Sequence, residues 1–155
     1  MNAGKDKDGS KYTIYTDGAA RGNPGRSASG FMVLDSSGNE VIMKSFYNGI
    51  KTNNFAEYTA VIKALEWCEA NLSNPENANL TFVSDSELVV RQLTGKYKIR
   101  SSEMASLNAT VKELSKWFRG VEFTNRRRSD KGISDVDRSL NELLDRRTEA
   151  LNKKH

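Results

Sequence analysis

The first third of the chain alternates apolar and polar positions, and the remainder moves to a helical period. Lys11–Thr16 reads KYTIYT, a β-branched and aromatic run closed by Asp17-Gly18, and predicts a strand with a polar exit. Arg21-Gly22-Asn23-Pro24-Gly25 is turn-forming throughout. Ser29–Leu34 and Glu40–Tyr47 flank the polar stretch Asp35-Ser36-Ser37-Gly38-Asn39 and predict a hairpin, so three antiparallel strands open the fold. From Phe55 onward Ala56, Ala60, Val61, Ala64, Leu65 and Cys68 recur at helical spacing until Asn74-Pro75 stops them. Leu80–Ser84 predicts a strand and Glu87–Leu93 a short helix ended by Gly95. Met104, Leu107, Val111, Leu114 and Phe118 mark a second long helix reaching to Gly120, and Val121–Asn125 a fifth strand. Val136, Leu140, Leu143, Leu144 and Leu151 mark a final helix.

Helices between the later strands imply a parallel portion joined to an antiparallel hairpin edge. The expected class is α/β, a mixed sheet flanked by helices. At 155 residues one domain is expected, 11–155, after a flexible polar tail over residues 1–10.

Composition narrows the chemistry. Hydrophobic residues are 37% and charged residues 28% of the chain, a balance that folds as a globule. No apolar run approaches the ~18 residues of a membrane span, and MNAGKDKDGS is polar where a secretory leader would be apolar. The expectation is a cytoplasmic protein with no membrane partner. A lone cysteine, Cys68, fits a reducing compartment. The single histidine is the terminal His155, so a Ser-His-Asp triad, a Cys-His pair, a zinc hydrolase and haem ligation are all excluded. A hydrolase built from this sequence must work with carboxylates.

The formal net charge of +4 and a pI of about 9.2 fit a polyanionic partner. Basic residues gather at Lys96, Lys98 and Arg100, at Arg126-Arg127-Arg128 with Lys131, and at Arg146-Arg147. A solvated face explains the last pair equally well.

Four acids occupy unusual positions. Asp17 and Asp85 close the first and fourth predicted strands, where open α/β sheets place ligands. Turn and helix-cap chemistry account for each taken singly. Glu57 falls on the apolar stripe of its helix, three, four and seven residues before Ala60, Val61 and Ala64. A carboxylate there is costly without a partner, unless it sits in a first turn favoured by the helix dipole. Asp137 is similarly placed before Leu140 and Leu144, in the first turn of the last helix, with Asp130, Asp135 and Asp145 as competitors. Converging on one cleft, four carboxylates require raised pKa values or bound cations, and hard oxygen ligands without histidine suit Mg²⁺ or Mn²⁺.

Three motifs carry a family resemblance. Tyr15-Thr16-Asp17-Gly18-Ala19-Ala20-Arg21-Gly22-Asn23-Pro24-Gly25 resembles the opening motif of type 1 ribonucleases H. Thr52-Asn53-Asn54-Phe55-Ala56-Glu57-Tyr58 is similar to their second motif, and Ser84-Asp85-Ser86 to the third. The resemblance implies a five-stranded mixed sheet of order 3-2-1-4-5, the first three strands antiparallel, and endonucleolytic cleavage of the RNA strand of RNA/DNA hybrids by a monomer.

It also implies a two-metal site of Asp17, Glu57, Asp85 and a fourth acid from the last helix, with two Mg²⁺ ions and Mn²⁺ as substitute. Asp17 would bridge both ions, the fourth acid would hold the ion beside the attacking water, and Glu57 and Asp85 the ion beside the leaving oxygen. Val136-Asp137-Arg138-Ser139-Leu140-Asn141-Glu142 is similar to the family's last motif and favours Asp137; Asn141-Glu142-Leu143-Leu144-Asp145 keeps Asp145 as a rival. Gly18, Ala19, Ala20, Asn54 and Ser86 match positions that read the hybrid, and Asn23, Thr52 and Asn53 positions that hold its DNA strand.

Departures accompany the match. The loop Arg126–Ile133 lacks the histidine many members carry, Phe55 replaces a frequent arginine, and Glu87 a frequent glutamine. The stretch Val90-Arg91-Gln92-Leu93-Thr94-Gly95-Lys96-Tyr97-Lys98 resembles a subgroup without that histidine or the long basic protrusion. A DNA-cutting nuclease of the same superfamily and a non-catalytic nucleic-acid-binding module are the alternatives.

Overall fold

The structure, a computed structural model, describes residues 9–154. The tail expected over residues 1–10 falls mostly outside the described residues, and Ser10 already belongs to the first strand. Among the described residues five strands form one sheet of order β3-β2-β1-β4-β5. β1 (Ser10–Arg21), β2 (Gly25–Leu34) and β3 (Glu40–Lys51) are antiparallel neighbours. β4 (Ala78–Ser84) runs parallel to β1, and β5 (Gly120–Asn125) parallel to β4. The expected α/β class, strand order and antiparallel opening are all borne out.

The helices are α1 (Asn53–Asn71), α2 (Glu87–Leu93), α3 (Ser102–Ser115) and α4 (Lys131–Lys154). A short 3-10 turn, Pro75–Asn77, follows α1. The alternation of Ile14 with Tyr15 along β1 sends successive side chains to the two faces of the sheet. Ile14, Phe31, Val33, Leu80 and Phe82 join Tyr58, Val61, Leu65 and Val111 in the larger apolar cluster, under α1 and α3. On the opposite face Val136, Leu140 and Leu144, spaced one helical turn apart, seat α4 on Ala28 and Met32.

Several boundaries differ from expectation, each for a local reason. β1 continues four residues past Asp17, because the small residues Gly18, Ala19 and Ala20 still pair with Ser29, Ala28 and Ser27 of β2. The pairing of β1 with β4, however, ends at Tyr15–Val83, so Asp17 lies just beyond the point where those two strands part. α3 stops at Ser115 rather than Gly120, because Lys116, Trp117 and Phe118 donate to carbonyls three residues back and tighten the chain. α4 starts at Lys131, where Asp130 accepts from the backbone N–H of Gly132 through Oδ1 and of Ser134 through its carbonyl. Asp137 therefore lies in the second turn, not the first. α1 likewise starts two residues before Phe55, with Thr52 as its cap, which places Glu57 beyond the first turn. The helix dipole does not account for either acid.

Candidate active site

α1 packs its backbone directly onto β1 at Gly18. A Cβ there would lie 2.3 Å from the Ala56 carbonyl carbon and 2.5 Å from the Glu57 nitrogen, so only glycine fits. The Oγ of Ser29 donates to the Ala56 carbonyl at 2.6 Å and pins the same turn from β2. Asn53 accepts from the Ala20 N–H at 2.8 Å, and Asn23 from the Asn53 N–H at 3.0 Å, fastening the start of α1 to β1 and its following turn. This close seating brings the Glu57 carboxylate, buried, next to Asp17. Glu57 Oε1 accepts from the Gly18 N–H at 3.2 Å and Oε2 from Ser84 Oγ at 3.4 Å.

Asp85 follows β4. The register that pairs Tyr15 with Val83 carries Asp17 and Asp85 to the same level two residues on. Asp17, Glu57 and Asp85 each bring a carboxylate oxygen within 4.8 Å of the others. Asp17 is fully buried, and among the described residues neither of its oxygens has a hydrogen-bond partner. Burial, then the Asp85 charge, raises the Asp17 carboxyl from the usual 3.8 to about 8. Glu57 is pushed well above its ordinary value by burial, then by Asp17 and Asp85.

Asp137 approaches from α4, close enough to Asp17 to raise its pKa. Its Oδ1 accepts from Asn141 Nδ2 at 3.1 Å. The rival, Asp145, stands two turns further along α4, exposed and paired with Arg21 at 2.7 Å. The structure thus brings together Asp17, Glu57, Asp85 and Asp137, and leaves Asp145 outside.

Among the described residues one cation enters this group. Arg128, from the loop before α4, donates through Nε to Asp85 Oδ2 at 2.9 Å, with its Nη1 3.8 Å from Asp137. It occupies the loop expected to lack a histidine. The sequence signal was the run Arg126-Arg127-Arg128, which singles out no one arginine. A polyanion needs compensation, and Arg128 supplies it from the rim; the two Asp17 oxygens, deeper inside, suit a small hard cation.

A model of the RNase H family matches residues 9–130. The chain belongs to the ribonuclease H family. It is 33% identical over 137 residues to the ribonuclease HI of Halobacterium salinarum, covering 88% of this chain and 62% of that protein, so it spans less than two thirds of that relative's length. The crystal structure of RNase H1 from the halophilic archaeon Halobacterium salinarum matches it at a TM-score of 0.80 and 32% identity, over 87% of this chain and 98% of that one. LC11-RNase H1, solved in complex with RNA/DNA hybrid, matches at a TM-score of 0.82 and 33% identity, over 88% and 99%.

The family match ends one residue before α4, so the case for Asp137 rests on its motif and its position. Most of the remaining sequence-predicted residues have internal partners. Thr52 caps α1 by accepting from the Phe55 N–H, and Ser86 caps α2 by accepting from the Val89 N–H. The backbone N–H groups of Gly18 and Ala20 are committed to Glu57 and Asn53. Asn54 lies on the first turn of α1, lining a groove beside α2.

Proposed function

We propose that this chain is an endoribonuclease that hydrolyses the RNA strand of RNA/DNA hybrids using divalent cations, Mg²⁺ with Mn²⁺ as substitute, held by Asp17, Glu57, Asp85 and Asp137. The observation that carries the reading is the pair of buried, unpartnered Asp17 oxygens at the meeting point of Glu57 and Asp85. A fold does not build such a point for stability, because each uncompensated buried charge costs several kcal/mol. Such cations, when bound, supply Lewis-acid polarisation of the phosphate and activation of the attacking water.

The chain's own residues do the rest. Asp17 sits centrally, reached by Glu57 from α1 and Asp137 from α4. Glu57 is held in one orientation by Gly18 and Ser84. Asp85 is steadied by Arg128 from the rim. Gly18–Ala20, Asn54 and Ser86 would read the minor groove, where 2′-hydroxyls tell RNA from DNA, and Asn23, Thr52 and Asn53 would brace the DNA strand. The neighbour solved with RNA/DNA hybrid supports that substrate. The reading includes a monomer acting in the cytoplasm, a compartment that suits the free, buried Cys68 thiol. Among the described residues no helix is long and apolar enough to cross a membrane.

The test is cleavage of a labelled RNA/DNA hybrid in Mg²⁺ and in Mn²⁺, beside single-stranded RNA, duplex RNA and duplex DNA, with Asp17→Asn in parallel. Cutting confined to the hybrid and abolished by Asp17→Asn is expected. Cutting of duplex DNA, or binding of hybrid without cutting in either metal, would overturn the reading.

A further inference from the structure

α4 meets the acid cluster through a polar stripe beside its buried face. Asp137, Asn141 and Asp145 fall at four-residue steps, about 6 Å apart along the axis, next to the apolar run Val136, Leu140 and Leu144. Asparagine is a poor residue for a helix interior, because its amide competes with the backbone for hydrogen bonds. Asn141 is half-buried there, and both ends of its amide are engaged. Nδ2 donates to the Asp137 carbonyl at 2.8 Å and to Asp137 Oδ1 at 3.1 Å, while Oδ1 accepts from Arg21 Nη2 at 3.3 Å.

A guanidinium can only donate, so the Arg21 contact fixes which end of the Asn141 amide faces β1 and turns the NH₂ group toward Asp137. Arg21 Nη2 also donates to the Asn141 carbonyl at 3.2 Å, gripping the side chain and the backbone of one residue together. Arg21 closes β1 four residues past Asp17, and Asn141 stands four residues past Asp137. The pair therefore ties the strand that carries the central acid to the helix that carries the fourth. Asp137 needs such a hold. Its side chain is 27% exposed and Arg128 stands 3.8 Å away, whereas a ligating group has to keep its place to within ~0.5 Å. Glu57 is already held by Gly18 and Ser84, and Asp85 by Arg128.

We propose that Asn141, its amide set by Arg21, is a positioning residue that holds the Asp137 carboxylate in its ligating orientation at the junction of α4 with the end of β1. This rests on the cation-binding reading above, which the wild type's own Mg²⁺ titration tests separately.

The experiment is calorimetric titration with Mg²⁺ of the wild type, Asn141→Leu, Asp137→Asn and the double variant, with thermal melts in EDTA alongside. Leucine favours a helix and offers Asp137 no donor. Asn141→Leu should weaken Mg²⁺ binding about tenfold, the scale on which partners that orient a ligand act. The double variant should bind no more weakly than Asp137→Asn, because the effect passes through Asp137. In hybrid cleavage by Asn141→Leu, the half-maximal Mg²⁺ concentration should rise about tenfold, while KM for hybrid at saturating Mg²⁺ changes less than twofold. If Asn141→Leu melts far below the wild type, Arg21→Gln, at an exposed position, carries the test, with about threefold weaker Mg²⁺ binding expected and unchanged binding overturning the proposal. Unchanged Mg²⁺ affinity in a stably folded Asn141→Leu, or a tenfold loss that recurs when Asp137 is already asparagine, would overturn it equally.

Discussion

Glu57 and Tyr58 are neighbours on α1, and each is buried in a polar cluster, but the two clusters are built on opposite principles. The Tyr58 hydroxyl is satisfied from both sides by Gln92 and Asn108, three helices contributing one neutral group each. Glu57 faces two more carboxylates, and the Asp17 oxygens beside it have no donor among the described residues. A satisfied neutral network contributes to the fold by itself, whereas a cluster of acids stabilises nothing until a proton or a cation arrives. The contrast separates what the chain completes alone from what it leaves for a ligand. It also makes the two clusters respond differently to metal and to pH.

The largest effect should come from neutralising the acid cluster. Asp17→Asn and Asp137→Asn are each expected to lower hybrid cleavage by about a thousandfold or more. Asp145→Asn, which breaks only an exposed pair with Arg21, should stay within twofold of the wild type. Equal losses from Asp137→Asn and Asp145→Asn in a cleavage assay would refute the choice of the fourth acid.

The next effect is on stability without metal, and its sign follows from the raised Asp17 pKa. Below about pH 4 the carboxyl is protonated in both folded and unfolded chains. As pH rises from there towards about 8, the unfolded chain releases a proton that the fold retains, so the folded state loses stability. Melts in EDTA should therefore show the wild type falling behind Asp17→Asn by up to ~1.4 kcal/mol per pH unit across that window. Added Mg²⁺ at pH 8 should restore the wild type and leave Asp17→Asn unmoved. A wild type that tracks Asp17→Asn at every pH would remove the basis for the contrast.

How much of this was legible in the sequence depended on how local the signal was. The helical stripe Ala56 to Cys68 and the run Val136, Leu140, Leu144 define their buried faces by spacing alone, and both pack as expected. Asp17, Glu57 and Asp85 were conspicuous because acids at strand ends or on an apolar stripe violate the patterns around them. Boundaries were less legible. Asp17-Gly18 reads as a strand exit, yet pairing with β2 carries β1 on to Arg21, a tertiary choice that no local propensity encodes. Asp130 as the start of α4 was hidden among several candidate acids. The Tyr58–Gln92–Asn108 relay was invisible, since its members lie 34 and 50 residues apart and each looks ordinary in its own helix.

That relay supplies the third prediction. Tyr58→Phe keeps the ring but leaves the Gln92 oxygen and the Asn108 amide without their partner, a loss of ~1–3 kcal/mol. For a chain of this size the melting temperature should drop by about 2–4 °C per kcal/mol. The drop should be the same with and without Mg²⁺, because this cluster holds no site for a cation. A drop that metal erases would show that the two clusters are one.

Arg128 should give the smallest effect, and it probes the border between the two principles. Its guanidinium is the protein's own partial answer to the acid cluster, placed on Asp85 and near Asp137 but short of Asp17. Because it is mostly exposed, solvent and salt screen it, and its removal should cost little stability. It also stands where a divalent cation shared with Asp85 must compete. Arg128→Gln is therefore expected to tighten Mg²⁺ binding severalfold at low salt, read by calorimetric titration, with the gain shrinking as ionic strength rises. Weaker binding in Arg128→Gln would mean instead that Arg128 holds Asp85 in its ligating position, and that the acid cluster, like the Tyr58 relay, depends on a protein partner for its geometry.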